Sequence, residues 1–198
     1  PHLPLVRFLP QACTANVDDK VLLANLLSRH GLLDELCPPT FADLQTFAKD
    51  ELPSAADRDL WFVKHKHGVK GRAVEPMRTP ALSNWLSKQS PSRRDFAIQR
   101  AVHPPALWDG RKFACRAHAL IACKGESDAS PLPMAWLHKD VIVTPHAAAY
   151  SEESDEKSVH VTNHGKHHPK PSLTTELPNG HPAHHDTLWP QLVSLASR

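Results

Sequence analysis

The stretch WFVKHKHGVKGRAV at residues 61–74 constrains the fold more than any other part of the chain. The apolar run at residues 60–63 predicts a buried strand. The strand ends at Lys64 and is followed by a basic loop that contains Gly68 and Gly71. Glycine lets a backbone approach phosphate oxygens closely, and a lysine at the end of a strand can meet their charge. Taken alone, the same pattern also fits a lysine that is simply solvated.

The composition gives no reason to expect a nucleic-acid-binding or membrane-spanning protein. The net charge of +2 over 198 residues gives no reason to expect a nucleic-acid partner. No apolar run approaches the ~20 residues that span a bilayer, so we expect no membrane partner. The four cysteines fall at no metal-ligand spacing, which favours reduced thiols and a cytoplasmic location. The chain begins at Pro1 and stops inside an amphipathic segment, so we expect it to be incomplete at both ends.

Two helices are predicted in the first quarter of the chain. The first has leucines at helical spacing, with Asn16 or Asp18 as its cap and the next glycine as its end. The second covers residues 40–51, where Thr40 and Asp43 resemble a capping box. A short helix is predicted from Thr79-Pro80 onward, because proline is favoured in the first helical turn.

Alternating or continuous apolar runs bounded by turn residues predict the strands. The predicted strands cover residues 60–64, 95–102, 111–123, 133–138 and 140–144. The later strands follow one another closely, which favours antiparallel pairing. These elements predict a mixed fold of helices and strands, α/β in the broad sense and α+β in the strict one, with antiparallel sheets flanked by helices.

In chain order, these segments resemble the tubulin tyrosine ligase-like family, which has an ATP-grasp fold. The resemblance runs from about residue 8 to residue 163 and rests on DDKVLLANLL, CPPTF, WFVKHKHGVKGRAV, FAIQRAVHPPALWDGRKFACRAHALIA, PMAWLHKDVIVTP and VHVTN. It implies an ATP-grasp-like fold that is incomplete at its C-terminal end. The implied parts are a helical N-terminal part at 1–58, a central subdomain at 59–103 and a C-terminal subdomain at 104–198 with a His/Pro-rich loop at 164–186.

The resemblance also implies roles for individual residues. Positions that match nucleotide binding are Lys20 and Lys64 at the phosphates, Gly68 and Gly71 in the lid, Gln99, Arg100, Ala101 and Val102 at the adenine edge, and Lys112 on the ribose side. Positions that match the reaction centre and the acceptor site are Arg116, His160, Thr162 and Asn163.

The implied reaction is ATP-dependent amide formation, in which a carboxylate becomes an acyl phosphate that an amine then attacks. A ligase of this kind adds free Tyr, Glu or Gly to tubulin or to another protein with an acidic tail. ATP and Mg²⁺ are the implied cofactors, and the Mg²⁺ ligands are expected beyond the C-terminal end of this chain. The implied location is the cytoplasm, at the cytoskeleton or cilium.

Departures from the family pattern keep a second reading open. His65 follows Lys64 where the family has proline, Ala114 replaces an aspartate, and Thr144 replaces an arginine. Ala114, Thr144 and the absence of the expected Mg²⁺ ligands from this sequence favour a non-catalytic relative that binds a nucleotide or associates with microtubules. The lysines, Gln99 and the cluster at residues 160–163 favour the enzyme.

Two further features have alternative explanations. The six histidines between residues 164 and 185 could hold zinc, although a solvated loop explains them as well. Arg93 and Arg94, with Lys88 upstream, could attract an anionic partner or could form a solvated turn.

Overall fold

The structure is a computed structural model, and it describes residues 18–68, 73–90, 92–122, 134–138, 141–161 and 172–174. The α-helices in these ranges are α1 (Lys20–Arg29), α2 (Leu33–Leu36), α3 (Leu44–Thr46), α4 (Thr79–Leu86) and α5 (Lys157–His160). A π-helical turn at Phe47–Glu51 and a 3-10 turn at Leu52–Ser54 follow α3. Among the described residues, no helix has the length and apolar character needed to cross a membrane.

Ten short strands are described in the same ranges. They are β1 (Thr40–Phe41), β2 (Leu60–His65), β3 (Val74–Arg78), β4 (Phe96–Arg100), β5 (Leu107–Trp108), β6 (Arg111–Arg116), β7 (Ala119–Ala122), β8 (Met134–Leu137), β9 (Val141–Pro145) and β10 (Ser172–Thr174). Every pairing among them is antiparallel. The predicted fold class, α+β with antiparallel sheets and helices, is therefore confirmed.

The chain forms two compact units. The first unit is Pro1–Pro104 with Asp155–Lys157, and the second is Pro105–Ser154 with Ser158–Arg198. The three-part division at 1–58, 59–103 and 104–198 stays a prediction.

The sheet of the first unit has the strand order β1-β4-β2-β3. In β2, Trp61 and Val63 point to one side, which we call the core face, and Phe62 and Lys64 point to the other, which we call the site face. The register pairs Phe62 with Gln99, so Gln99 also lies on the site face. The alternation of the strand therefore separates packing from chemistry.

The core face packs against the helical segments around α3 and α4. Phe47, Leu82 and Ile98 are completely buried there, and Trp61 is 2% exposed. The rings of Phe47 and Trp61 meet edge to face, with centroids 5.1 Å apart. Burial of each such side chain contributes about 1.5–3 kcal/mol, so this cluster fixes the sheet that carries the site face.

The start of the first helix differs from the prediction. The N-cap of α1 is Asp19, whose carboxylate accepts the backbone N–H of Val21 at 2.8 Å and that of Leu22 at 3.1 Å. The predicted cap Asp18 is therefore wrong, and Asn16 lies outside the described residues. The carboxylate of Asp19 stands one residue closer to the first free N–H groups, which is the spacing that an N-cap needs.

The predicted helix at residues 40–51 is wrong at its start. Thr40 belongs to β1 and pairs with Gln99, while Asp43 is the N-cap of α3 and accepts the backbone N–H groups of Gln45 and Thr46. Cys37 and Pro38 each precede a proline and are driven to extended backbone, so the chain is extended just before it reaches Thr40. The segment therefore enters the sheet before the helix begins.

In the second unit, the sheet order is β10-β9-β6-β5, and β7 and β8 form a separate two-stranded sheet. The single strand predicted at 111–123 is wrong, because it ends at Arg116 and resumes at Ala119. The two pieces pair with different strands, β6 with β9 and β7 with β8. The strands predicted at 60–64, 95–102, 133–138 and 140–144 and the helix at Thr79 are confirmed within a few residues. The strands that were not predicted are β1, β3, β5 and β10.

Candidate functional site

A continuous chain of hydrogen bonds crosses the site face of the first unit. The Nζ of Lys64 donates to Oε1 of Gln99 at 2.5 Å. The Nε2 of Gln99 donates to Oγ1 of Thr40 at 2.8 Å, and that hydroxyl donates to the carbonyl of Pro38 at 2.6 Å. The residues come together because Thr40 and Gln99 are direct cross-strand partners on β1 and β4. Three polar side chains from three strands therefore share one surface.

The ammonium group of Lys64 lies in a poorly solvated place. Burial is the main cause that lowers the pKa of Lys64, the nearby Cys37 thiol group opposes that shift, and the positive charge of Lys20 adds to it. Both the lost solvent and the second lysine disfavour an added positive charge at this point. An arriving anion would relieve both effects, so the local electrostatics favour a negatively charged ligand.

The base of the basic loop is closed by Lys20 and by a close backbone approach. The Nζ of Lys20 donates to the carbonyl of Gly68 at 2.6 Å, and the backbone N–H of His65 donates to the carbonyl of Ala73 at 3.0 Å. A Cβ added to Gly68 would lie 2.4 Å from the Cβ of Ala73, closer than two carbons can approach. Glycine at 68 is therefore what lets the loop start and end at the same point. Gly71 lies outside the described residues.

The remaining residues matched to the adenine edge lie elsewhere. Arg100 lies on the core face, where its guanidinium binds Asp59 at 2.8 Å and lies 5.6 Å from the ring centre of Trp61. The backbone N–H of Ala101 donates to the carbonyl of the first residue of β2, and Val102 is 60% exposed. The structure therefore brings together Lys20, Lys64, Gly68 and Gln99 but turns the Arg100 side chain away from them.

A second cluster lies in the second unit around Lys112 on β6. The Nε2 of His160 lies 2.7 Å from the carbonyl of Ser154, and because a carbonyl only accepts, this nitrogen carries the proton. Nδ1 of His160 then accepts from the ammonium of Lys112 at 2.9 Å. The same ammonium lies 5.1 Å from the ring centre of Tyr150, a cation–π distance. The buried imidazole of His160 therefore orients the lysine through this hydrogen bond.

A second buried histidine supports this cluster. His146 is 6% exposed, its backbone N–H donates to the carbonyl of Lys112 at 2.8 Å, and its Nδ1 lies 2.9 Å from the carbonyl of Val159. It ties β6 to the segment that carries His160. Sequence reasoning missed His146, Tyr150 and Thr40, and of these only Thr40 gave a signal, which was taken for a helix cap.

Of the other residues matched to the reaction centre, only Arg116 belongs to the residues that the structure describes. Arg116 is exposed at the end of β6, opposite Ile142. Thr162 and Asn163 lie outside the described residues. Two departures from the family pattern, Ala114 and Thr144, are direct cross-strand partners on β6 and β9. The two departures that the resemblance implies therefore lie at one place, which carries an uncharged pair.

The described residues contain no cluster of metal ligands, and carboxylates lie beside both members of the arginine pair. Within the part of the chain that the structure describes, no group of three His, Cys, Asp or Glu side chains could hold a metal ion. The histidines between 164 and 185 lie outside the described residues. Arg93 lies 3.5 Å from Asp95 and Arg94 lies 3.3 Å from Asp43, so neighbouring carboxylates offset both positive charges.

The fold and site define an α+β protein with antiparallel sheets and a desolvated lysine beside a glycine-containing loop. Among protein families, the model described as the tubulin-tyrosine ligase family matches residues 17–194 of the chain. The match covers most of the sequence, and the protein belongs to the tubulin-tyrosine ligase family.

One relative with an assigned name is similar to about half of this chain. The protein named "Probable tubulin polyglutamylase ttll-9" of Caenorhabditis elegans is 29% identical over 108 residues. The alignment covers 52% of this chain and 24% of that protein, so this chain spans about a quarter of the relative's length.

Proposed function

We propose that the protein is an ATP-dependent ligase that joins an amino acid to a protein through an amide bond. The observation that carries the proposal is the ammonium of Lys64, desolvated on the site face and hydrogen-bonded to Gln99 at 2.5 Å. Among the described residues no carboxylate forms an ion pair with this half-buried ammonium, which suits a ligand that brings negative charge.

The phosphate-binding part of the proposal rests on Lys64, Lys20 and Gly68. Lys20 already holds the carbonyl of Gly68, and Gly68 has no side chain to keep phosphate oxygens from the backbone. Two lysine charges near one another stabilise a polyphosphate more than either does alone, since the charge on the transferring group is spread over several oxygens. We assign the phosphates to these residues and the base to Gln99.

The proposed reaction has two balanced steps. A carboxylate oxygen attacks the γ-phosphorus of ATP, the bond to the bridging oxygen breaks, and ADP leaves. An amine then attacks the acyl phosphate, and phosphate leaves as the amide forms. We assign Lys112 to the ribose side, and Arg116, His160, Thr162 and Asn163 to the reaction centre and acceptor. Mg²⁺ would spread the phosphate charge when bound.

The acceptor we propose is tubulin or another protein with an acidic tail. The name of the Caenorhabditis elegans relative favours glutamate over tyrosine or glycine as the added amino acid. A tubulin substrate also fits a cytoplasmic location at the cytoskeleton or cilium.

A second candidate function is nucleotide or microtubule binding without catalysis. The observation that favours it is the Ala114–Thr144 pair, where the family pattern has two charged side chains on adjacent strands. Loss of both charges at one spot removes contacts to ribose and phosphate together.

Thermal unfolding with and without ATP-Mg²⁺ tests the nucleotide site. At about ten times its Kd, a ligand stabilises a protein by about 1.4 kcal/mol, which is about 3–6 °C for a chain of this size. We expect this shift in the wild type and in Lys88→Ala, an exposed lysine on the same unit, and its loss in Lys64→Ala. Absence of any shift in the wild type at millimolar ATP would overturn the nucleotide site.

Incorporation of labelled glutamate into tubulin separates the two candidates. The ligase predicts ATP-dependent labelling that Lys64→Ala removes. The non-catalytic protein predicts the thermal shift without labelling.

A further inference from the structure

Thr40 lies at one end of the hydrogen-bond chain on the site face, and the proposed reaction gives it no role. We propose that Thr40 is a positioning residue that fixes the amide of Gln99 with its oxygen toward Lys64, so that the site selects a purine with a 6-amino group over one with a 6-oxo group. This inference rests on the proposed nucleotide function and adds the basis of its specificity.

Proton directions fix the amide of Gln99 from both ends. The hydroxyl of Thr40 donates to the carbonyl of Pro38 at 2.6 Å, so its oxygen can only accept from Gln99. The group 2.8 Å from that oxygen must then be the NH₂ of Gln99. At the other end, the ammonium of Lys64 has only donors, so the group 2.5 Å from it must be the carbonyl oxygen of Gln99. A reversed amide would set donor against donor at one end and acceptor against acceptor at the other.

The backbone holds Thr40 firmly in this position. Thr40 and Gln99 are cross-strand partners, and the backbone N–H of Arg100 donates to the carbonyl of Pro39 at 2.9 Å. Pro38 and Pro39 restrict the chain just ahead of the hydroxyl. The acceptor that receives the Thr40 proton is therefore set by the fold and does not depend on a mobile side chain.

A fixed carbonyl oxygen has a direct consequence for recognition. A carbonyl oxygen has two lone pairs, and among the described residues Lys64 takes one of those on Gln99. The other can accept a hydrogen bond from an exocyclic amine, as in adenine. A 6-oxo purine would bring a second acceptor there, and two acceptors that face each other without a proton disfavour binding. The arrangement therefore discriminates by the direction of a single hydrogen bond.

Affinities for ATP and inosine triphosphate, measured by titration calorimetry on the full chain, test the inference. Inosine triphosphate differs at the position of interest, where an oxygen replaces the amine. We expect the wild type to bind ATP about tenfold or more tightly than inosine triphosphate, the ratio that corresponds to about 1.4 kcal/mol. In Thr40→Val, which keeps the β-branched shape and loses the hydroxyl, the amide of Gln99 is held at one end only, by Lys64. We expect the ratio to fall to within about threefold, because the single remaining contact lets the amide move from its position.

Thr40→Ser is the matched control, because it keeps the hydroxyl and is expected to keep the wild-type ratio. A thermal melt without nucleotide shows whether each variant is folded, and if Thr40→Val is not, Thr40→Ala gives the same comparison. An equal ATP preference in the wild type and in the hydroxyl-free variants would overturn the role of Thr40 while leaving the nucleotide site intact. Failure of the wild type to bind either nucleotide would overturn the nucleotide site and, with it, this inference.

Discussion

At the scale of single residues, Gly68 shows how one missing side chain permits a structural feature. The loop that follows β2 returns to Ala73, and the two residues are so close that a Cβ on Gly68 would lie 2.4 Å from the Cβ of Ala73. Lys20 fixes the same point by holding the carbonyl of Gly68. Glycine is required here by a close contact rather than by an unusual backbone angle.

We therefore predict that Gly68→Ala lowers the free energy of unfolding by about 1–3 kcal/mol, the usual cost of an overpacked contact. Denaturant unfolding measures the change. The double variant Gly68→Ala with Ala73→Gly removes the second carbon of the clash and is expected to recover most of the loss. If the double variant is no more stable than the single one, the contact with Ala73 is not the cause.

At the scale of secondary structure, the segment from Asp43 to Ser54 combines a short α-helix, a π-helical turn and a 3-10 turn. None of the three is long enough to be stable alone, because helix formation needs more residues to offset nucleation. The segment is held by its cap at Asp43 and by Phe47, which is completely buried. The cap and the core contact together make this segment helical.

The cap gives a prediction with a defined pH dependence. The backbone N–H of Thr46 is the main cause that holds the pKa of Asp43 below its usual 3.8, with Gln45 and Arg94 adding to it against partial burial. A pKa that is lower in the folded state gives stability that is present above the unfolded pKa and is lost as pH falls through the folded pKa. The stabilisation is thus complete at neutral pH and disappears below about pH 4.

We expect Asp43→Ala to lower the free energy of unfolding by about 1 kcal/mol at pH 7, the typical value of an N-cap. Asp43→Asn keeps an oxygen that accepts hydrogen bonds and is expected to lose much less. Urea unfolding at several pH values measures both, and the difference between wild type and Asp43→Ala is expected to shrink toward pH 3. A difference that is constant with pH would show that the carboxylate charge does not contribute.

At the scale of the whole molecule, the first unit uses the two faces of one sheet for different purposes. The core face carries the aromatic and aliphatic cluster around Phe47 and Trp61, and the site face carries Lys64 and Gln99. The cluster therefore contributes most to the stability of the unit, and the other face carries the proposed binding residues. Changes on the two faces are expected to have separable effects.

Phe47→Ala tests that separation. Truncation of a completely buried phenylalanine costs about 3–5 kcal/mol, a large part of the 5–15 kcal/mol that stabilises a typical domain. We expect the melting temperature to fall by many degrees, whereas Leu22→Ala, at a site that is 43% exposed, is expected to change it little. At a temperature where Phe47→Ala is still folded, its ATP affinity is expected to match that of the wild type. A large loss of affinity in the folded variant would contradict the separation of the two faces.

Local patterns in the sequence were sufficient for the elements whose stability is local or whose burial is continuous. The apolar runs predicted β2 and β4, and the Thr79-Pro80 start predicted α4. The same reasoning missed β3, where Pro76 removes a backbone donor and weakens the strand pattern. It also joined β6 to β7, because alternation of side chains does not show which partner a strand has.

The sequence by itself determined the family resemblance, the fold class and the identity of the lysines and glycines that the candidate site uses. Only the tertiary structure decided which of these residues meet. The register of β1, β4 and β2 places Thr40, Gln99 and Lys64 on one face and turns Arg100 to the other. The physical reason is that side chains alternate along a strand while partners are chosen by pairing, so a shift of one residue in register would reverse the face of every side chain.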